Sequence, residues 1–385
     1  MISRRGALSF ALAAGIGSLG AEAWAEAAPG SREDIAGLLR GRIDAQHRGT
    51  GGLVSVVRDR NAWTVRHGTV SRESRRRVSL DTPFQIASLT KIFTALLLSD
   101  AVLRGELALD DELAAYFRVN APRFEGRAIT LLDLATHTSG LPLRPPSRFS
   151  RGQDNPYAGY THEDLRADIE ATTLSRAPGT VFEYSNYGFA LLGTALSARL
   201  GKPYAEILQE RILTPLRMRA TTLEPSASMQ AHFIQGYDME FAPAHVWEFG
   251  ALAPAGGLFS TARDLRKFVA LWTEPFDTPL ARAAHDMFSL RRPGPDPQTQ
   301  MALGWRVIER QGRMLGWSNG SGGGVRALWP LRPEKRACLH SPTCKPASAS
   351  MTWGCGCSIR RWRSMSRRSQ YASQSPCRRR CSTAL

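Results

Sequence analysis

The sequence predicts an α+β fold in which sheet elements are interrupted by a largely helical insertion. Three observations carry this. A capped amphipathic helix and two strand-like runs stand near the N-terminus, residues 86–250 read mainly as helices and loops, and strand patterning resumes after Phe259. With 385 residues, 43% of them hydrophobic and 22% charged, the composition is that of a globular protein able to bury a large core.

Residues 1–25 are read apart from that fold. Ser3-Arg4-Arg5-Gly6-Ala7-Leu8 opens an apolar stretch from Ala7 to Leu19, and Ala23-Trp24-Ala25 ends it with the small residues of a signal-peptidase site. The arginine pair resembles a twin-arginine export signal, so the expectation is a cleaved signal peptide and a periplasmic location. No later apolar run is long enough to span a bilayer.

The elements of the remaining chain follow from local chemistry. Ser31 and Asp34 have the spacing of a capping box, and Ile35, Leu38, Leu39 and Ile43 recur at helical intervals behind them. Gly52 to Val57 and Trp63 to His67 read as strands joined by a polar turn. Thr90 to Leu103 is apolar or small on nearly every side, which predicts a buried helix, and Gly105 is placed to end it. Further helices are expected at Thr130 to His137, Thr161 to Thr172, Tyr187 to Leu200 and Tyr204 to Leu213. An amphipathic one follows at Thr261 to Trp272. Leu303 to Glu309 and the Gly-rich run Trp317 to Leu328 read as the returning strands.

The net charge of +16 is misleading until it is located. Arg332 to Leu385 carries twelve Lys and Arg against Glu334 alone, and all six cysteines (Cys338, Cys344, Cys355, Cys357, Cys377, Cys381) fall there too. The basic balance therefore argues for no nucleic-acid partner for the folded part, and the cysteine spacings do not form paired zinc ligands. Residues 26–331 are read as one domain and residues 332–385 as an aberrant tail. Two readings of that tail stand: a basic segment for envelope polyanions, or a passage out of the native reading frame. No metal or cofactor is expected.

Five lysines occur in the chain, and Lys91 alone has a serine three residues earlier. Positions i and i+3 share a helix face, so the Ser88 hydroxyl and the Lys91 amine can meet. Burial and a helix N-terminus both depress a lysine pKa, which is what a lysine needs to act as a base toward serine. The Tyr184-Ser185-Asn186 turn offers a second proton carrier and an amide. His137, in a polar loop after a helix, is read as structural.

These residues carry a resemblance. Thr82-Pro83-Phe84-Gln85-Ile86-Ala87-Ser88-Leu89-Thr90-Lys91, Leu134-Ala135-Thr136-His137-Thr138-Ser139-Gly140-Leu141-Pro142 and Pro178-Gly179-Thr180-Val181-Phe182-Glu183-Tyr184-Ser185-Asn186 resemble the class C β-lactamase and penicillin-binding-protein superfamily. Asn155-Pro156-Tyr157-Ala158-Gly159-Tyr160-Thr161 is similar to the D-alanyl-D-alanine carboxypeptidase/endopeptidase branch. The resemblance implies an antiparallel sheet flanked by helices, an inserted helical domain, and an active site between them. It implies Ser88 as acylated nucleophile, Lys91 and Tyr184 as the proton-transfer pair, and Asn186 against a substrate amide. The substrate would be a β-lactam or a peptidoglycan peptide.

The family's third motif, a Lys- or His-led triad on the sheet edge, aligns with Ser318-Asn319-Gly320-Ser321, where Ser318 replaces the cation. A Trp317-led register is the alternative and also lacks one. By the resemblance the backbone N–H of Ser321 would be an oxyanion donor beside that of Ser88, and the absent cation would have bound the substrate carboxylate and tuned Tyr184. An esterase of the same fold and a non-catalytic penicillin binder are the competing functions.

Overall fold

The computed structural model describes residues 8–13 and 31–331, apart from 47–48, 59–60, 118–119, 150–153, 239, 275–276 and 311–312. These belong to one compact unit, Met1–Lys335; the second unit, Arg336–Leu385, and with it the Cys-rich tail, lies outside the described residues. Most of the expected leader, including its cleavage site, also lies outside them.

The described residues build one eight-stranded antiparallel sheet. Its strands are β1 (Leu8–Ala13), β2 (Gly51–Arg58), β3 (Asn61–Gly68), β4 (Arg292–Pro293), β5 (Thr299–Met301), β6 (Arg306–Arg310), β7 (Arg313–Gly322) and β8 (Val325–Leu331). They are ordered β3-β2-β1-β8-β7-β6-β5-β4. Helix α1 (Arg32–Arg40) starts at Ser31, whose hydroxyl accepts from the Asp34 N–H while the Asp34 carboxylate accepts from the Ser31 N–H. Its stripe of Ile35 and Leu39, continued by Ile43, packs on Val54, Val56 and Val65. Alternate residues of β2, Leu53 and Val57, enter the main core on the other face, so β2 is buried on both sides.

Helix α2 (Thr90–Leu103) runs through that main core, with every side chain from Thr90 to Ala101 buried. Ile92, Phe93, Leu96 and Leu97 are fully enclosed, each adding about 1.5–3 kcal/mol of burial. Between Phe84–Gln85 and Phe259–Ser260, which pair with each other, the chain is mainly helical. It includes α3 (Leu131–Ala135), α4 (His162–Ala171) and α5 (Asn186–Leu200). Helices α6 (Ala262–Thr273) and α7 (Pro279–Asp286) follow, and Phe268 of α6 stacks on Phe93.

Three expectations need correction. The run from Trp317 to Leu328 is two strands: Gly323 and Gly324, both with positive φ, form a two-residue turn that closes the β7–β8 hairpin. The strand expected from Leu303 begins at Arg306, because Ala302 to Trp305 is a tight turn around left-handed Gly304. The helix expected over Tyr204 to Leu213 changes winding at Gln209, from α to a wider π turn. The leader-like segment also supplies one strand of this sheet. Its Leu8–Ala13 stretch lies between β2 and β8, with Ala11 opposite both Val54 and Leu328. An uncharged apolar run reads alike as leader or as central strand, and two open strand edges offer it a full set of backbone partners.

Candidate active site

The site is assembled where α2 begins. Ser88 lies in a single 3₁₀ turn, Ala87–Leu89, that feeds directly into α2. Ala87 takes φ of +46°, a left-handed conformation that costs an alanine on the order of 1 kcal/mol or more. Its neighbours hold it there: the Ile86 N–H donates to Leu258 O at 2.9 Å and the Gln85 side-chain amide to Trp247 O at 2.7 Å. The kink leaves Ser88 half-exposed while Ala87 and Leu89 on either side are buried.

Lys91, 2% exposed, sits one turn further on with its Nζ 3.0 Å from Ser88 Oγ. The amine also donates to Asn186 Oδ1 at 2.7 Å and to Ala255 O at 2.6 Å. Burial first, and then the nearby charge of Arg306, hold this amine well below the usual lysine range. The Tyr184 hydroxyl donates to the same Ser88 Oγ at 2.7 Å. Burial pushes the Tyr184 phenol up, with Ser88 and Arg306 pulling it back.

The Tyr184-Ser185-Asn186 turn owes its shape to the His137 corner. His137 has φ of +58°, and its Nδ1 accepts from the Ser185 N–H at 3.1 Å. Its carbonyl accepts from the Glu183 N–H, and its ring packs 4.4 Å from that of Tyr184. Burial, then the charge of Lys91, keep the imidazole neutral. Ser185 caps α5 by accepting from the Gly188 N–H, so Asn186 is the first helical residue and points at Lys91. The other end of its amide donates to the Tyr157 hydroxyl at 2.7 Å. Asn186, expected against a substrate amide, is 9% exposed here, with both ends of its amide engaged by protein groups.

The third-motif residues lie on β7, which passes the Ser88 turn. A Cβ on Gly320 would come 2.1 Å from Ile86 O, so only glycine allows this approach. Ser318, on the same face as Gly320, is buried at 5% exposure, whereas Asn319 and Ser321 are exposed. The β6–β7 ladder ends at the Arg306–Trp317 pair, so, among the described residues, 318–322 have no strand partner on that side. In a two-residue hairpin closed by Gly322 and Val325, alternation turns the N–H groups of Asn319 and Ser321 toward this open edge. An open cleft of about 1460 Å³ borders Gln85, Trp247, Phe249 and Gly322, and Ser88 is not among the residues that line it.

The Beta-lactamase family model matches residues 35–340, most of the chain. The chain belongs to the Beta-lactamase family. It is 29% identical over 303 residues to a D-alanyl-D-alanine-carboxypeptidase/endopeptidase, AmpH, of Escherichia coli, covering 74% of this chain and 77% of that one. It is 28% identical to a Beta-lactamase of Lysobacter lactamgenus over 235 residues, 59% of this chain and 56% of the relative. A solved Beta-lactamase/D-alanine carboxypeptidase from Yersinia pestis shares the fold at a TM-score of 0.65 and 23% identity, covering 80% of this chain and 95% of that one. The fold is the α+β fold of this family, and the chain is a β-lactamase/DD-carboxypeptidase-like serine hydrolase.

Within this Beta-lactamase-family site, sequence reasoning brought together Ser88, Lys91, Tyr184 and Asn186, and the geometry places them within one hydrogen-bonded cluster. It missed two residues. Tyr157 was quoted only as part of a branch signature, although a buried tyrosine needs a polar partner and Asn186 was available. Arg306 carried no motif at all. Its guanidinium lies 5.6 Å from the Tyr184 ring centroid and 4.7 Å from that of Trp317, and donates to Asn319 Oδ1 at 3.3 Å. Among the described residues no helix is long and apolar enough to cross a membrane.

Proposed function

We propose that the chain is an exported serine hydrolase that forms an acyl-enzyme at Ser88 with D-Ala-D-Ala-type peptides and β-lactams. The observation that carries this is the convergence of the Lys91 amine and the Tyr184 hydroxyl on Ser88 Oγ. A neutral Lys91 has two N–H groups, matched by Asn186 Oδ1 and Ala255 O, and a lone pair left for the Ser88 proton. Ser88 Oγ attacks the carbonyl carbon as its proton passes to Lys91. The oxyanion is received by the N–H groups of Ser88 and Ser321. Collapse breaks the C–N bond, and Tyr184 gives its proton to the leaving nitrogen. Lys91, 4.9 Å from the Tyr184 ring, then returns a proton to the phenolate. Water repeats the sequence on the ester and releases Ser88.

The carboxypeptidase and β-lactamase names of the relatives support the choice of substrate class, and the leader-like N-terminus supports export. The test is labelling with a fluorescent penicillin, read by intact-protein mass. Stoichiometric label that turns over in the wild type and is absent in Ser88→Ala supports the reading. Label without turnover makes the chain a penicillin binder, and ester hydrolysis without label makes it an esterase. Full hydrolysis by Ser88→Ala would end the assignment.

A further inference from the structure

We propose that Arg306 is the substrate-carboxylate receptor of this site, supplied from β6 in place of a cation on β7. The inference rests on the acyl-enzyme reading above and names the substrate class: acyl compounds with a carboxylate close to the scissile bond.

Four observations converge on Arg306. It closes the β6–β7 ladder opposite Trp317, so its side chain stands where β7 begins to present an open edge. Its guanidinium lies against two aromatic rings, Trp317 and Tyr184, which fixes its plane while leaving its edge N–H groups available. Among the described residues no carboxylate pairs with it; Asn319 Oδ1 is the side-chain acceptor it has, against five donors. And it is partly withdrawn from water, so its charge is screened less than that of an exposed arginine.

A guanidinium held flat and short of acceptors is built for bidentate recognition of a carboxylate. The Asn319 and Ser321 N–H groups on the same open edge point to where the rest of the substrate would lie. Ser318, the residue aligned with the family cation, faces the buried side and contributes no charge there. The same Arg306 charge also favours the neutral form of Lys91, so one residue both selects an anionic substrate and poises the base.

The competing role is purely structural, a clamp that orders Trp317 and Tyr184. The two are separated in a Ser88→Ala background, which cannot be acylated, by titrating tryptophan fluorescence with benzylpenicillin and with its methyl ester. The acid is expected to bind about tenfold or more tightly than the ester. Adding Arg306→Gln should abolish that preference while leaving ester binding in place, and Arg306→Lys should retain part of it. An acid-to-ester ratio unchanged by Arg306→Gln, in protein whose melting temperature is preserved, overturns the proposal. Acylation of wild-type Ser88 is read separately by mass, so failure of the acyl-enzyme reading is recognisable on its own.

Discussion

Asn186 accepts a hydrogen bond from the buried Lys91 amine at 2.7 Å although the two lie 95 residues apart in the chain. The amine beside Ser88 is therefore held from α5, a different helix from the one that carries it. Replacing Asn186 with Ala should let the amine drift and slow acylation by about 10–100-fold. Asn186→Asp tests the electrostatics instead. A carboxylate at that distance favours the ammonium, so the acid limb of the acylation rate should move to higher pH. Stopped-flow acylation across a pH series measures both.

The wild-type profile should be bell-shaped. Lys91 is depressed from 10.5, so its active neutral form appears as pH rises through a value well below that of an ordinary lysine. Tyr184 is raised from 10.0, so its proton is lost only on the far alkaline side. Between the two the rate is flat. In Arg306→Gln the acid limb should shift upward, because the arginine's charge no longer opposes protonation of Lys91.

His137 makes the fold acid-sensitive. Its folded pKa is depressed below 6.5, so the unfolded chain binds the extra proton first as pH falls. Stability is unaffected above 6.5 and declines below it, by up to about 1.4 kcal/mol per pH unit, until the folded pKa is reached. His137→Asn should flatten that limb in urea denaturation between pH 5 and 7, while lowering stability at neutral pH by loss of ring packing.

Gly320→Ala should separate β7 from the Ser88 turn. The new methyl meets Ile86 O, a backbone atom that cannot rotate away, so strand or turn must move. A loss of about 1–3 kcal/mol is expected, with acylation slowed more than ester binding. Thermal melting and single-turnover kinetics report the two effects.

The β1 strand predicts a seam. A chain lacking residues 1–25 should melt at lower temperature, and the amides of β2 and β8 that face β1 should exchange faster. Unchanged exchange at Leu53 to Val57 would mean that β1 adds nothing to the folded sheet.

Much of the molecule was legible before any coordinates. The capping box at Ser31, the all-round apolar Thr90–Leu103 helix and the Ser88–Lys91 spacing are local signals, set by neighbours within a turn of helix. Tyr184 and Asn186 could be singled out by their turn chemistry, yet the contacts of Asn186 could not, because its partners Lys91 and Tyr157 come from elsewhere in the chain. The Gly323–Gly324 turn was overlooked because an unbroken glycine run reads equally as strand and as hairpin.

By itself, then, the sequence determined the order of elements, the pairing of Ser88 with Lys91, and the absence of a cation at Ser318, since each depends on residue type at short separation. Only the tertiary structure decided where charge returns to the site. Arg306 reaches Tyr184 through antiparallel pairing of β6 with β7 and the meeting of that sheet edge with the turn before α5. No spacing along the chain encodes that encounter, because it is fixed by which strands lie side by side and where their ladder ends.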